Sequence, residues 1–339
     1  MNAAVIAAGA DDFHRAVRRL LMVWRNFHAA QVYRADPVSV AATGARWLAA
    51  LLVGGLGKGN PSSLLDSMPL RDLMLQHLDF DGIQRSIDAG ALRALSVTAS
   101  GYSSGQSITF FQGVSDLKAW HRARRIGLPE QIGIDHLMAS SALPFIFPAV
   151  QIRREYFGDG SMRQIAPVSP ALHLGADRVL VIGVGRQLPA LPERTHTEAY
   201  PSLAQIAGHA LNSIFLDTLE TDVERLERIN RTVQLIPPKE RERGSTPLRE
   251  VQALVIRPSQ ELDTIAAEYA HTLPSAIRWL LRGLGAGGRG GSTLTSYLLF
   301  ERDYCRAVIE LGYQDAMRRR DEIISLIDAP VAADADMDV

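Results

Sequence analysis

The chain contains very little cysteine and lysine. Its 339 residues include one cysteine, Cys305, and only three lysines. A single cysteine excludes an intramolecular disulfide framework and a cysteine-built metal site, and its helical context predicts a buried structural thiol. The chain has 36 basic and 37 acidic residues, so its net charge is −1 and no overall basic field would attract nucleic acid. We therefore expect no nucleic-acid partner.

Long hydrophobic runs and targeting signals are also absent. The longest nearly uncharged apolar stretch, residues 47–56, is too short to span a bilayer. The N-terminus is apolar but has no basic region, and Asp11 and Asp12 follow almost at once, so it does not resemble a signal peptide. The nine histidines show no metal-ligand spacing. We expect a cytoplasmic protein without metal or cofactor.

Helix and strand signals alternate along the chain, which predicts an α/β fold with a mostly parallel sheet. Helical spacing appears at about residues 13–27 and 38–53, and strand signals at residues 94–99 and 107–111 predict a hairpin. Residues 178–184 form the most apolar strand. Since this strand has no polar alternation, it is typical of the middle of a parallel sheet covered on both faces.

The C-terminal part is predicted to be mostly helical. A long helix is expected from about residue 202 to residue 230, followed by two short strands at residues 232–236 and 253–256. The predicted division is an α/β domain at 1–200, a helix-rich region with two short strands packed on it at 201–328, and a disordered tail at 329–339.

Two glycine-rich stretches are read as ordinary loops. Residues 54–60 lack the Gly-Lys-Ser/Thr ending of a phosphate loop and follow a helix rather than a strand. Residues 183–185 follow a strand, but the third glycine of a dinucleotide motif is missing. Pro189 and Pro192 would also break the helix that must face a pyrophosphate.

Ser103 lies in a Gly-Tyr-Ser-Ser-Gly sequence at residues 101–105, which matches the pattern G-x-S-x-G. A nucleophile elbow requires a strained turn between a strand and a helix, which exposes the serine hydroxyl. Residues 106–111 read as a strand instead. We therefore interpret this segment as a polar hairpin turn and disfavour Ser103 as a nucleophile.

Asp159 is the strongest candidate for chemistry. It lies between Gly158 and Gly160, with Ser161 after them, at a tight turn with room for close approach of another group. A turn aspartate that binds its own backbone is the commoner role for Asp-Gly. The residues alone leave both interpretations open.

The surroundings of Asp159 resemble a known family. Ser-Ser-Ala-Leu-Pro at residues 140–144, Phe-Pro at 147–148 and then Asp159-Gly160 are similar to the signature of patatin-like phospholipases. The resemblance covers most of the chain and implies a three-layer α/β/α fold. It also implies a serine–aspartate lipid acyl hydrolase that acts on a lipid or acyl ester without a cofactor, with Asp159 as general base. Ser161 stands where the family has Gly or Ala.

Two motifs of the family have no counterpart upstream of Asp11. They are the glycine-rich oxyanion loop and the G-x-S-x-G elbow that carries the nucleophile. Residues 1–6 instead resemble the helix that directly follows the elbow. We hypothesise that Met1 corresponds to an internal position of a longer protein, through a misassigned start, a truncation or a deliberate fragment. The resemblance then predicts that residues 1–200 are a partial catalytic domain and that this chain alone is inactive.

A non-catalytic module that binds lipid or a partner through the same fold is the alternative. Residues 277–282, Ile-Arg-Trp-Leu-Leu-Arg, are amphipathic with basic flanks. Such a pattern suits a peripheral membrane contact, and it equally suits a helix with one face in the core.

Overall fold

The regular elements that the structure describes before the first strand are helices. The computed structural model describes residues 1–53, 63–185, 202–215, 217–237, 249–286 and 292–328. The first helices are α1 (Asn2–Ala8), α2 (Phe13–Arg25), α3 (Pro37–Val53), α4 (Met68–His77) and α5 (Phe80–Asp88). Asp12 begins α2 by accepting the amide of Arg15, and Asp79 begins α5 by accepting that of Gly82. These carboxylates satisfy amides that have no partner within the helix.

A six-stranded mixed sheet follows. Its strands are β1 (Ala94–Gly101), β2 (Ser107–Gly113), β3 (Trp120–Arg122), β4 (Arg125–Pro129), β5 (Val150–Ile152) and β6 (Glu155–Asp159). Their order is β3-β4-β2-β1-β6-β5, and only β2 and β4 pair in parallel. The predicted hairpin is confirmed, because β1 and β2 are antiparallel neighbours. Helix α6 (Ile134–Ser140) connects β4 to β5.

A separate pair of parallel strands lies further along the chain. β7 (Arg178–Ile182) pairs with β8 (Gln252–Ile256), which confirms the strand signals at both segments. Within the described residues, the expectation that β7 lies in the middle of a covered sheet is wrong. Val179 and Val181 pack with Leu226, but the side chains of Leu180 and Ile182 are 43% and 79% exposed. An apolar run identifies a strand without fixing how many of its faces are covered.

The remaining described elements are helices. They are α7 (Ser169–His173), α8 (Leu203–Phe215), α9 (Asp217–Gln234), α10 (Leu262–Tyr269), α11 (Ser275–Gly283), α12 (Ser292–Ser296), α13 (Arg302–Arg318) and α14 (Arg320–Asp328). The predicted strand at residues 232–236 is wrong, because α9 continues to Gln234. Leu226 and Val233 are both buried and lie two helical turns apart, so burial on one helix face outweighs the strand preference of β-branched residues.

One hydrophobic core joins the N-terminal helices, the six-stranded sheet and the C-terminal helices. Val5 of α1, Phe110 of β2 and Ile277 of α11 belong to the same buried cluster. The hydroxyl of Tyr33 donates to the carbonyl of Leu298 at 2.8 Å across this core. The predicted α/β class, with a central sheet, flanking helices and a helical C-terminal region, is confirmed. The sheet was expected to be mostly parallel, and the six-stranded sheet is mixed, with one parallel pairing among its five. The predicted domain boundary near residue 200 stays a prediction, and β7 pairs with β8 across it.

The described residues also bear on two other expectations. Cys305 is a free, buried thiol, as predicted. None of the described helices combines the length and apolar character needed to cross a bilayer. The glycine-rich loop at residues 54–60 and the tail at residues 329–339 lie outside the described residues.

Candidate active site

Asp159 is fixed by three neighbouring segments. It is the last residue of β6 and precedes a short 3₁₀ helix, Gly160–Met162. Asp159 pairs with Ala99 of β1, and its amide donates to the carbonyl of Ala142 at 3.0 Å. Ala142 belongs to the Ser-Ser-Ala-Leu-Pro segment that follows α6. The Ser-Ser-Ala-Leu-Pro segment and the Asp-Gly turn therefore meet at the backbone of Asp159.

The environment of Asp159 favours the protonated form of its carboxyl group. The residue is 9% exposed, and its Oδ1 accepts the amide of Ser161 at 2.9 Å. Burial raises the pKa of Asp159 from 3.8 to about 6, against the opposing effect of the hydrogen bond from Ser161. At neutral pH this carboxylate is ionised yet much more basic than a solvated aspartate. A pKa close to the working pH is the property that a general base requires.

The two glycines beside Asp159 make room for neighbouring groups. A Cβ atom on Gly160 would overlap the carbonyl oxygen of Thr98, and one on Gly158 would lie 2.7 Å from the hydroxyl of Tyr102. The hydroxyl of Ser100 also donates to the carbonyl of Gly160 at 3.3 Å. The close approach expected from the sequence is therefore found, and β1 is the segment that approaches.

A cavity of about 380 Å³ opens beside the carboxylate. Its walls come from the start of α1, the middle of β1, the end of α6 and the turn after β6. Asp159 thus shares one cavity with Met1, Ala3 and Ala4. Polar groups also line it, from Ser96, Thr98, Ser140, Ser141, Ser161 and Gln164. The cavity can accommodate a small polar reacting group next to a base.

Ser103 lies away from this cavity, in the exposed turn between β1 and β2. The amides of Ser103 and Ser104 donate to the carboxylate of Glu155 at 3.0 and 2.7 Å. Glu155 and Asp159 are at opposite ends of β6, roughly 13 Å apart along the strand. A strand follows the turn, as expected, so the local geometry differs from that of a nucleophile elbow. The exclusion of Ser103 stays a prediction.

Two tyrosines near Asp159 were not anticipated from the sequence. Burial, with a smaller contribution from the charge of Asp159, raises the pKa of Tyr102. Burial and the charges of Asp263 and Asp159 likewise raise the pKa of Tyr297. Tyr297 lies in the C-terminal helical region, and only the tertiary fold brings it near β6. No local pattern could have identified it.

The fold and the site together define a class of protein. An α/β sheet with a buried, basic carboxylate beside a cavity suits an acyl hydrolase. The profile of one family, described as Patatin-like phospholipase, matches residues 1–172, which is just over half of the chain and includes Asp159. The chain belongs to this family of lipid acyl hydrolases. Comparisons with curated proteins and with solved structures give no match.

Proposed function

We propose that Asp159 is the general base of a serine–aspartate dyad in a lipid acyl hydrolase. The observation that carries this proposal is the burial of Asp159 at the cavity wall, which raises its pKa to about 6. Membership of the family supports a lipid ester as the substrate class. Ser161 and the two flanking glycines support the turn that holds the carboxylate.

The reaction proceeds in two halves. Asp159 takes the proton of a serine hydroxyl while the serine oxygen attacks the ester carbonyl. The tetrahedral intermediate then collapses, and the leaving alcohol departs with the proton that Asp159 held. Water repeats the sequence on the acyl-enzyme and releases the fatty acid. Backbone amides that stabilise the oxyanion are required as well, and the loss of one such donor costs about 10²–10³ in rate.

We further propose that the nucleophile belongs to a segment that directly precedes α1. The start of α1 lines the same cavity as Asp159, so a serine attached ahead of Met1 would enter that cavity. The described serines of the cavity wall lie on β1, at the end of α6 and in the 3₁₀ helix, and none is the serine of a G-x-S-x-G sequence. On this proposal residues 1–339 alone are inactive.

The test is active-site labelling with a fluorophosphonate probe. We expect no labelling of residues 1–339, and labelling of a longer product that includes in-frame codons upstream of Met1. In the longer product, Asp159→Asn should lower the rate of labelling and of ester hydrolysis by about 10²–10⁴. Asp88→Asn is the matched control, because Asp88 is exposed at the end of α5.

Two results would contradict the proposal. Labelling of residues 1–339 that Ser103→Ala abolishes would identify Ser103 as the nucleophile. An upstream in-frame stop codon, with no G-x-S-x-G codons after it, would favour the alternative of a non-catalytic module with the same fold.

A further inference from the structure

The two longest stretches of the chain without an acidic residue lie far apart in the sequence. Residues 37–65 and residues 269–300 contain none of the 37 aspartates and glutamates. The first segment carries Arg46 and Lys58, and the second carries three arginines, Arg278, Arg282 and Arg289. Each segment is therefore cationic in a protein whose net charge is −1. Segregated positive charge of this kind creates a local field that the net charge conceals.

The two acid-free segments meet in the fold. Helix α3 lies in the first, helix α11 lies in the second, and the two helices pack against each other. A groove of about 590 Å³ runs between them, and its lining includes Pro37 and Val40 on one side and Arg278, Trp279 and Arg282 on the other. Positive charge and apolar surface thus occur together on one face.

Helix α11 presents different residues to the core and to the solvent. Ile277 and Leu281 are 0% and 4% exposed and belong to the core. They confirm that one face of this amphipathic helix is buried. Trp279, however, is 72% exposed, and Val38 at the start of α3 is 78% exposed. Core packing does not account for these two large apolar side chains.

The two arginines of α11 differ in their partners. Nη1 of Arg278 donates to the carbonyl of His271 at 2.7 Å, which leaves the guanidinium near the groove. The side chain of Arg282 is exposed and has no hydrogen bond or ion pair with any residue that the structure describes. Its charge is therefore free to bind an external anion.

We propose that the surface formed by Pro37, Arg278, Trp279 and Arg282 docks on an anionic phospholipid bilayer. Tryptophan favours the interface between headgroups and acyl chains, where an apolar ring and a polar N–H are both accommodated. Arginines beside it are attracted to anionic headgroups. This docking would bring the proposed hydrolase to a lipid surface, but it does not depend on the serine–aspartate dyad.

A second copy of the chain fits this surface less well. A symmetric dimer would place the same cationic patch of both subunits face to face. Like charges at short range repel each other, and the two acid-free segments offer no carboxylate to neutralise them. A bilayer with negative headgroups is complementary in charge and also accepts the exposed tryptophan.

The test is co-sedimentation of the 339-residue chain with phosphatidylcholine vesicles, either pure or with phosphatidylglycerol as about one lipid in three. The phosphatidylglycerol gives the vesicles a negative surface potential. We expect binding to the anionic vesicles that weakens as salt is raised, since salt screens surface charge. Arg282→Gln should lower the partition coefficient about fivefold, which corresponds to about 1 kcal/mol. Trp279→Ala should lower it about tenfold, because the buried indole area is lost.

Matched controls come from elsewhere on the surface. Tyr313→Ala removes a 62% exposed aromatic side chain on α13, and Arg225→Gln removes an exposed arginine on α9. Both variants should bind vesicles as the parent does. Circular dichroism melting checks that each variant is folded. Brominated lipid should quench tryptophan emission in the parent chain, and Trp279→Phe should remove this quenching. The phenylalanine keeps a large aromatic side chain at position 279, so the loss would report the contact of Trp279 with lipid.

Three results would overturn the proposal. The first is equal binding of the parent chain to neutral and anionic vesicles. The second is binding at the parental level by folded Trp279→Ala and Arg282→Gln. The third is a parent chain that binds no vesicles but forms a concentration-dependent dimer that these substitutions abolish. Because binding is measured without turnover, none of these results would bear on the proposed dyad.

Discussion

The ionised carboxylate of Asp159 should destabilise the folded chain, and this effect can be measured without any enzymatic activity. The pKa of Asp159 is about 6 in the fold and 3.8 in a solvated chain. Between these values the folded state binds more protons than the unfolded state, so the unfolding free energy falls as pH rises. The stability contributed by the protonated form is complete below pH 3.8 and is lost as pH rises through about 6.

The magnitude follows from the displacement of the pKa. About two pH units at 1.36 kcal/mol each correspond to about 3 kcal/mol above pH 7, and to roughly 1 kcal/mol at pH 4.5. Asp159→Asn removes the charge but keeps an oxygen that can accept the amide of Ser161. The asparagine variant should therefore be more stable than the parent by up to about 3 kcal/mol at pH 8, and by much less at pH 4.5.

Urea unfolding at the two pH values provides the measurement. Asp88→Asn, at an exposed position, should change the unfolding free energy by no more than about 0.5 kcal/mol at either pH. A less stable Asp159→Asn variant at pH 8, or a gain of the same size at both pH values, would refute the link between burial and the raised pKa. A gain that grows from pH 4.5 to pH 8 is the signature of a carboxylate whose position costs stability, as expected of a functional group.

Three further outcomes are expected. Gly160→Ala should lower the unfolding free energy by about 2 kcal/mol, because the new methyl group overlaps the carbonyl of Thr98. Gly312→Ala is the control, since its methyl group has open space within α13 and should be neutral or slightly stabilising. Urea unfolding of both variants provides the measurement. Cys305 should resist alkylation at pH 8 in the folded chain and react only in urea, since burial raises its pKa to about 11. Glu155→Gln should lower the melting temperature through weaker bonds to the two amides of the β1–β2 turn, a loss of about 1 kcal/mol.

Local sequence chemistry predicted the turn at Asp159. Glycine on both sides indicated close approach, and the fold supplies the approaching strand, with Thr98 against Gly160. The hairpin between β1 and β2 was equally predictable, because both strands and the polar turn leave local signals. The raised pKa of Asp159 was not predictable from the sequence, since the burial that causes it depends on what packs over the carboxylate rather than on its neighbours in sequence.

The errors arose where one pattern suits two environments. Thr232 and Val233 favour a strand, yet both lie in α9, where Val233 continues the buried face and Thr232 is exposed. The apolar run of β7 suggested a strand covered on both faces, and Ile182 is 79% exposed. The amphipathic sequence of α11 suited both a membrane contact and a helix with one face in the core. The structure shows that Ile277 is buried on one face and that Trp279 is exposed on the other.

The pH dependence of ester hydrolysis tests the assignment of Asp159 most directly. For a product that carries the proposed nucleophile, kcat/KM should rise with pH through a midpoint near 6, because a general base acts only in its ionised form. Asp159→Asn should remove both this midpoint and nearly all of the activity. Retention of the parental kcat/KM and of its pH profile in Asp159→Asn would contradict the assignment of Asp159 as the base.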